Sequence, residues 1–155
     1  SDDQWKLFSI AWSVHQQAEE NLAFDINLFA RGYAQVWGSQ QPEFVAMFYE
    51  DDGTLQVNDG EPARGRDEIS AVAQSFMTKF PDINVQCDSL VEKPGGIEFH
   101  WTLTGTDADP NGKGNKVKIS GFELWTMSED NLIKKSEGSF SSEEYERQLE
   151  IGIDH

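Results

Sequence analysis

Glu123 is the residue best placed for acid–base chemistry, because it is the only charged residue on one face of an otherwise apolar stretch. Residues 117–127 have the pattern of a β-strand, in which alternate side chains share a face. The residues that share its face are Val117, Ile119, Gly121, Trp125 and Met127. Leaving even a neutral polar group unpaired in an apolar interior costs on the order of 2 to 7 kcal/mol. Burial there would raise the pKa of the carboxyl group, as in many catalytic acids. The alternative is an exposed face on which Glu123 pairs with a Lys or Arg of a neighbouring strand.

The length and charge of the chain limit the classes of function. A chain of 155 residues fits one domain that buries roughly two-thirds of its unfolded surface. The formal net charge is −16, from 28 acidic and 12 basic residues. This negative potential repels phosphate backbones and anionic lipids, so we expect neither a nucleic acid nor a membrane as partner. The sequence shows neither an apolar run of roughly 18 residues nor a secretion signal, which favours a cytoplasmic location.

Apolar residues recur at helical spacing in the first half of the sequence. The pattern predicts three helices, at residues 24–37, 42–48 and 67–80. Pro42 suits the first turn of the second helix, and Asp67 is the predicted N-cap of the third. Residues 1–22 are predicted to form a helical extension or arm, so that a single folded domain spans residues 23–155.

The second half of the sequence has the period of β-strands. A turn at residues 51–53 is predicted to lead into a first strand at residues 54–57. Four longer strands are predicted at residues 83–91, 97–104, 117–127 and 132–140, and a short helix at residues 143–151. Sequential hairpins between the four strands imply an antiparallel sheet. Helices followed by such a sheet indicate the α+β class, with the helices covering one face of the sheet.

Several short motifs occupy characteristic places in this order of elements. They are Tyr33 in the first helix, residues 48–54 before the first strand, residues 65–69 at the start of the third helix, and residues 101–106, 121–125 and 130–133 in the sheet. In their order and spacing, residues 24–150 resemble the nuclear transport factor 2-like superfamily, in its SnoaL-like and ketosteroid isomerase-like branches. The resemblance implies a cone-shaped, curved antiparallel sheet wrapped around three N-terminal helices, with an apolar pocket between them. It also implies a homodimer.

The resemblance also implies catalytic residues. Ketosteroid isomerases place a tyrosine on the first helix and an acidic hydrogen-bond donor on a later strand, which correspond here to Tyr33 and Glu123. Such donors stabilise the negative charge that collects on a carbonyl oxygen during isomerisation, cyclisation or dehydration. The base of that family falls near Val57, where this sequence has no carboxylate, so Asp59 is the first candidate base. His100 is the second, since its unperturbed pKa near 6.5 suits proton transfer, although strand alternation points its side chain away from the core.

The predicted pocket wall consists of large apolar residues. They are Trp37, Phe48, Val57, Phe76, Phe80, Trp101, Trp125 and Phe140. We predict no metal and no organic cofactor. The loop at residues 107–112 starts like a calcium loop, but Lys118 stands where the closing glutamate belongs, so a hairpin loop explains it better. The catalytic aspartate of SnoaL-like polyketide cyclases corresponds to Ser141, so that group is missing.

These observations lead to three functional hypotheses for a protein that binds a small apolar molecule. The first is a cofactor-independent isomerase, cyclase or dehydratase that acts by acid–base chemistry on an apolar carbonyl compound. The second is a module that binds a hydrophobic ligand without turnover. The third is a dimeric assembly domain.

Overall fold

The computed structural model of the protein describes residues 24–153. The predicted arm at residues 1–22 therefore lies outside the described residues. Within residues 24–153, none of the helices has the length and apolar character that crossing a membrane requires.

Six strands form one curved, unclosed sheet, in the order β2-β1-β6-β5-β4-β3. They are β1 (Tyr49–Val57), β2 (Ala63–Arg64), β3 (Asn84–Lys93), β4 (Gly96–Thr106), β5 (Lys116–Met127) and β6 (Ile133–Phe140). The α+β fold class is confirmed, and β3 to β6 pair antiparallel as predicted. The sheet is nevertheless mixed, because β1 runs parallel to β6.

Four helices accompany the sheet in the described part of the chain. They are α1 (Ile26–Trp37), α2 (Pro42–Ala46), α3 (Gly65–Lys79) and α4 (Ser142–Ile151). Asp25 caps α1, and its carboxylate accepts hydrogen bonds from two backbone N–H groups of the first turn. The prediction that Asp67 caps α3 is wrong, because α3 begins at Gly65 and Asp67 lies within its first turn. Ser141 caps α4 by accepting a hydrogen bond from the N–H of Glu144 at 3.1 Å.

The start of β1 differs from the sequence prediction. Residues 51–53 were expected to form a turn, but they belong to the strand, which begins at Tyr49. The five steps from Tyr49 to Thr54 face only two steps of β6, so β1 carries an irregular bulge there. Arg66 holds this bulge, since its guanidinium donates to the carbonyl oxygen of Tyr49 at 2.8 and 3.1 Å.

The aromatic core places α1 on the inner face of the sheet. The ring of Tyr33 lies between those of Phe48, Phe99 and Trp125, with centroid distances of 5.2 to 5.6 Å and edge-on geometry. Phe99 and Trp125 stack on each other at 4.9 Å across β4 and β5. Edge-on and stacked rings fix one another in direction. The Tyr33 hydroxyl is thereby held against the middle of the sheet.

Candidate active site

Glu123 lies in the middle of β5, opposite Phe99 of β4 and Gly138 of β6. Glu123 is only 8% exposed and lies on the apolar inner face of the sheet. The alternative of an exposed face is therefore wrong. The hydrogen-bond donors that surround the carboxyl group are uncharged side chains rather than a Lys or Arg.

Three donors converge on one oxygen of this carboxyl group. The Oε1 atom accepts from the indole N–H of Trp125 at 2.8 Å, from the hydroxyl of Ser136 at 2.8 Å and from the hydroxyl of Tyr33 at 3.0 Å. The Oε2 atom lies 3.3 Å from the Tyr33 hydroxyl, a weaker contact. The carboxyl group is thus fixed by Oε1, and Oε2 retains capacity to bind or exchange a proton.

A second tyrosine extends this network beneath the carboxyl group. The hydroxyls of Tyr33 and Tyr49 lie 2.8 Å apart, and both side chains are fully buried. Burial, followed by the nearby Glu123 charge, raises the pKa of both phenols well above the ordinary value, so both remain neutral donors. The network joins α1, β1, β5 and β6 at one point.

Burial and hydrogen bonding act in opposite directions on Glu123. Burial raises the pKa of its carboxyl group above the ordinary 4.5, because the charged form loses its hydration. The hydrogen bonds from Trp125, Ser136 and Tyr33 lower the pKa and offset part of this rise, since they stabilise the charged form. Burial is the larger of the two effects, so the net shift of the pKa is upward.

Replacing Tyr33 with Phe tests this balance. We expect the pKa of Glu123 to rise further, because a donor to the carboxylate is lost. The free energy of unfolding should fall by about 1 to 3 kcal/mol, since the Tyr49 hydroxyl also loses its partner. A ¹³C-NMR titration of the Glu123 carboxyl carbon measures the first effect, and urea denaturation the second. Tyr49→Phe is the matched control: it leaves every donor to Glu123 in place, so a rise in the Glu123 pKa as large as that in Tyr33→Phe would contradict this assignment.

A pocket opens on the inner face of the sheet beside Glu123. It has about 650 Å³ of empty space, part of it open to solvent. Aromatic rings of Trp37, Phe76 and Phe99 form part of its wall, and Glu123 is the only charged residue among the described residues that line it. A wall of this kind favours an uncharged, largely apolar ligand and disfavours an anion.

The indole N–H of Trp101 is buried in the wall and has no hydrogen-bond partner among the described residues.

The structure brings most of the predicted wall residues to this pocket. Those that line it are Trp37, Val57, Phe76, Trp101 and Phe140. Phe48, Phe80 and Trp125 do not line it, because Phe80 and Trp125 lie in the core and Phe48 packs against the core. Phe80 covers Gly105, Phe48 contacts the Tyr33 ring, and Trp125 serves Glu123 as a donor.

The two predicted bases lie elsewhere. Asp59 is exposed in the turn after β1 and does not line the pocket. His100 lies on the opposite face of the sheet from Glu123, where its Nε2 atom is 3.0 Å from Glu98 and its ring is near that of Phe122. Neither residue lines the pocket in this structure. Tyr33 lies behind Glu123 and is fully buried, so it positions the carboxyl group and does not face a ligand.

Sequence reasoning missed several residues that matter here. Nothing in the sequence around Ser136 and Tyr49 marks them as part of a site. Only the pairing of the strands brings them to the hydrogen-bond network of Glu123. Gly138 and Tyr145 line the pocket from β6 and α4. The register of β5 with β6 places Gly138 opposite Glu123, and no pattern in the sequence fixes this register. No pattern indicated Tyr145.

Acidic side chains in the described part of the chain are not grouped for metal binding: no cluster of three or more His, Cys, Asp or Glu residues is arranged to hold an ion. In the loop that begins like a calcium loop, the ammonium group of Lys79 lies 3.3 Å from Asp107 and 3.7 Å from Asp109. A protein cation thus neutralises these carboxylates.

Comparison with known proteins gives the same fold. The solved structures similar to this one include a protein with a ketosteroid isomerase-like fold from Catenulispora acidiphila in complex with trimethylamine, with 14% identity, a TM-score of 0.66, and 76% of this chain and 88% of that chain covered. The epoxide hydrolase/cyclase-like enzyme SalBIII of salinomycin pyran ring formation has 13% identity, a TM-score of 0.64, and 75% and 90% covered. A phenazine biosynthesis-related protein from Pseudomonas aeruginosa has 15% identity, a TM-score of 0.65, and 96% and 94% covered. These likenesses show the fold alone.

Sequence comparison places the chain in a family. No curated protein is significantly similar to it in sequence. The sequence profile of the SnoaL-like domain matches residues 30–136, more than half of the chain. The protein belongs to the SnoaL-like domain family.

Proposed function

We propose that the pocket binds a small apolar molecule with a neutral oxygen function, and that Glu123 transfers a proton to and from it. The observation that carries this proposal is the state of the carboxyl group. Within residues 24–153, Glu123 is the only charged residue on an apolar wall, three donors fix its Oε1 atom, and its Oε2 atom retains capacity for a proton. One carboxyl group that is held in this way can take a proton from carbon and return it to another atom of the same molecule.

The reaction class that fits is isomerisation, cyclisation or dehydration beside a carbonyl or ether oxygen. In its ionised form Glu123 removes a proton, and the three donors on Oε1 stabilise the charge that it carries before the transfer. In its neutral form it donates the proton from Oε2 to an oxygen or carbon of the ligand. This chemistry requires only proton transfer, so a cofactor-independent reaction remains our prediction. SalBIII, a cyclase-like enzyme in pyran ring formation, supports this class by its similar fold.

Hydrogen exchange on a simple ketone tests the proposal without knowledge of the natural substrate. The probe is 2-indanone in D₂O, whose α-hydrogens are followed by ¹H NMR. We expect the protein to accelerate exchange, with a rate that rises with pH through the raised pKa of Glu123, because only the ionised form takes a proton.

The decisive variant is Glu123→Gln, which keeps an acceptor for the three donors but cannot carry the proton. Exchange should fall to the rate without protein. Glu98→Gln is the matched control, since it makes the same chemical change on the opposite face of the sheet and should leave exchange unaltered. Exchange in Glu123→Gln at the rate of the unaltered protein would refute the assignment.

A binding module without turnover is the second candidate function. The observation in its favour is that the described lining residues contain no second charged group to share the acid and base roles. Binding of 2-indanone with no exchange above the rate without protein would select this function. The homodimer implied by the resemblance stays a prediction, which sedimentation of the purified chain tests.

A further inference from the structure

At two glycines of the sheet, an aromatic side chain of the protein lies close against the backbone of the strand, and we call such a glycine a platform. A Cβ atom on Gly105 would lie 2.8 Å from Cβ and 3.0 Å from Cγ of Phe80, so the Phe80 side chain lies directly on this glycine. A Cβ atom on Gly121 would lie 2.8 Å from Cζ2 of Trp101. In both places, the absence of a side chain lets a planar ring approach the backbone of the strand.

Gly138 is a third glycine of this sheet, and no ring covers it. A Cβ atom there would lie 3.2 Å from the carbonyl oxygen of Gln56 and 3.7 Å from Cγ of Glu123, with no other described atom within 4 Å. The φ angle of Gly138 is not positive, so its backbone conformation does not require glycine. A glycine within a strand weakens it and often marks a close approach by another group. The bare surface of Gly138 faces the pocket.

We propose that Gly138 is the platform for a planar ring of the ligand, which lies against the strand where this glycine leaves room for it. This inference rests on the proposed function, because it assumes that the pocket holds a small molecule, and it names the class: a flat, conjugated or aromatic compound with an oxygen substituent. Gly138 faces Glu123 across β5 and β6, so a ring on this platform has the carboxyl group at its edge. The aromatic rings of Phe140 and Trp101, which also line the pocket, complete a wall suited to a flat molecule.

A matched pair of ketones tests the preference for a planar ring. Acetophenone and cyclohexyl methyl ketone have the same carbonyl group and number of carbon atoms, and differ in ring planarity. We expect the protein to bind acetophenone about three- to tenfold more tightly, in keeping with the extra stabilisation of ring stacking. Equal affinities, or no binding of either ketone at millimolar concentration, would overturn the proposal.

Two further measurements locate the ring. Bound acetophenone should move the Hα signals of Gly138 upfield through its ring current, and cyclohexyl methyl ketone should not. Gly138→Ala should weaken acetophenone binding about tenfold and remove the preference between the ketones, because the added methyl group lies on the platform. Its urea midpoint should fall moderately, since the added Cβ atom lies 3.2 Å from the carbonyl oxygen of Gln56 and this contact must relax, so affinities are compared in the folded variant. Unaltered acetophenone affinity in the folded variant, or unshifted Hα signals, would overturn the proposal.

Val85→Ile is the control for pocket volume. Val85 lines the pocket from the edge strand β3, which β5 and β4 separate from the strand of Gly138, and the added methylene should affect both ketones equally. Failure of the proton-transfer proposal is visible separately. Suppose that Glu123→Gln leaves hydrogen exchange unchanged while Gly138→Ala removes the preference for acetophenone. The proposal that Gly138 binds the ring is then retained, and the proposal that Glu123 transfers the proton is refuted.

Discussion

Gly121→Ala is expected to lower the free energy of unfolding by about 3 kcal/mol, the upper part of the range for overpacked cores. A Cβ atom at this position would clash with the carbonyl oxygen of Ser139 and lie 2.8 Å from Trp101 Cζ2 and 2.9 Å from Phe140 Cβ. Because one of these neighbours is the backbone of the adjacent strand, no side-chain rotation relieves the contact. The strands β5 and β6 must separate, and the Trp101 indole must shift as well.

Urea denaturation measures the loss, and near-ultraviolet circular dichroism reports the displaced indole. Ser120→Ala is the control on the same strand, because Ser120 is exposed and should change stability by less than about 0.5 kcal/mol. We also expect Gly121→Ala to bind pocket ligands more weakly, since Trp101 lines the pocket. A variant as stable as the Ser120→Ala control would show that this close packing is absent.

The face of the strand on which the Glu123 side chain lies could be predicted from the sequence, whereas its hydrogen-bond network could not. Strand period alone places this side chain on the same face as Trp125, because the two residues are two positions apart. The other donors come from segments far along the chain, with Tyr33 in α1 and Ser136 in β6. Their approach depends on the strand register and on the position of α1, and a sequence pattern fixes neither. A core serine and a pocket serine look alike in sequence.

The start of β1 shows a different limit of sequence reasoning. Residues 51–53, Asp-Asp-Gly, have the composition of a turn, and the chain does depart from regular pairing there. The departure is a bulge within a continuing strand, because Arg66 from α3 binds the Tyr49 carbonyl group and because Gly53 is buried. Tertiary contacts thus decided between a turn and a bulge, two structures with the same local signal.

The pocket wall was predicted in part, from the helices as well as from the strands, since Trp37 of α1 and Phe76 of α3 also line it. Val57 and Trp101 line the pocket, as predicted. Phe48 and Phe80, which are also large aromatic residues, instead pack against or within the core. The helix α4 contributes Tyr145, whose ring contacts those of Phe140 and Phe80 at 5.7 and 6.3 Å. How this helix folds back over the sheet depends on the Gln148 side chain. Its amide bonds the N–H and C=O groups of Lys118 on β5, next to the end of β6.

The free energy of unfolding should fall with rising pH because of Glu123, and Glu123→Gln should remove this dependence. The folded-state pKa of the carboxyl group is raised above the unfolded value near 4.5, chiefly by burial. Below pH 4.5 the group is protonated in both states, so its favourable contribution is fully present. As the pH rises from 4.5 to the folded-state pKa, the unfolded chain releases the proton first. The free energy of unfolding then falls by about 1.4 kcal/mol per pH unit across this interval, and Glu123 causes no further fall above it.

Urea denaturation of both proteins between pH 4 and pH 9 measures the effect as the difference in their free energies of unfolding. The difference should grow in favour of Glu123→Gln from pH 4.5 upwards, because the glutamine amide keeps an acceptor for Tyr33, Trp125 and Ser136 without a charge to desolvate. In the background of Tyr33→Phe the interval should extend to higher pH, since the lost hydrogen bond raises the folded-state pKa. A difference that shrinks as the pH rises would mean that the three donors outweigh burial. Glu123 would then be a permanent carboxylate, able to take a proton from a ligand but poorly able to return one at neutral pH.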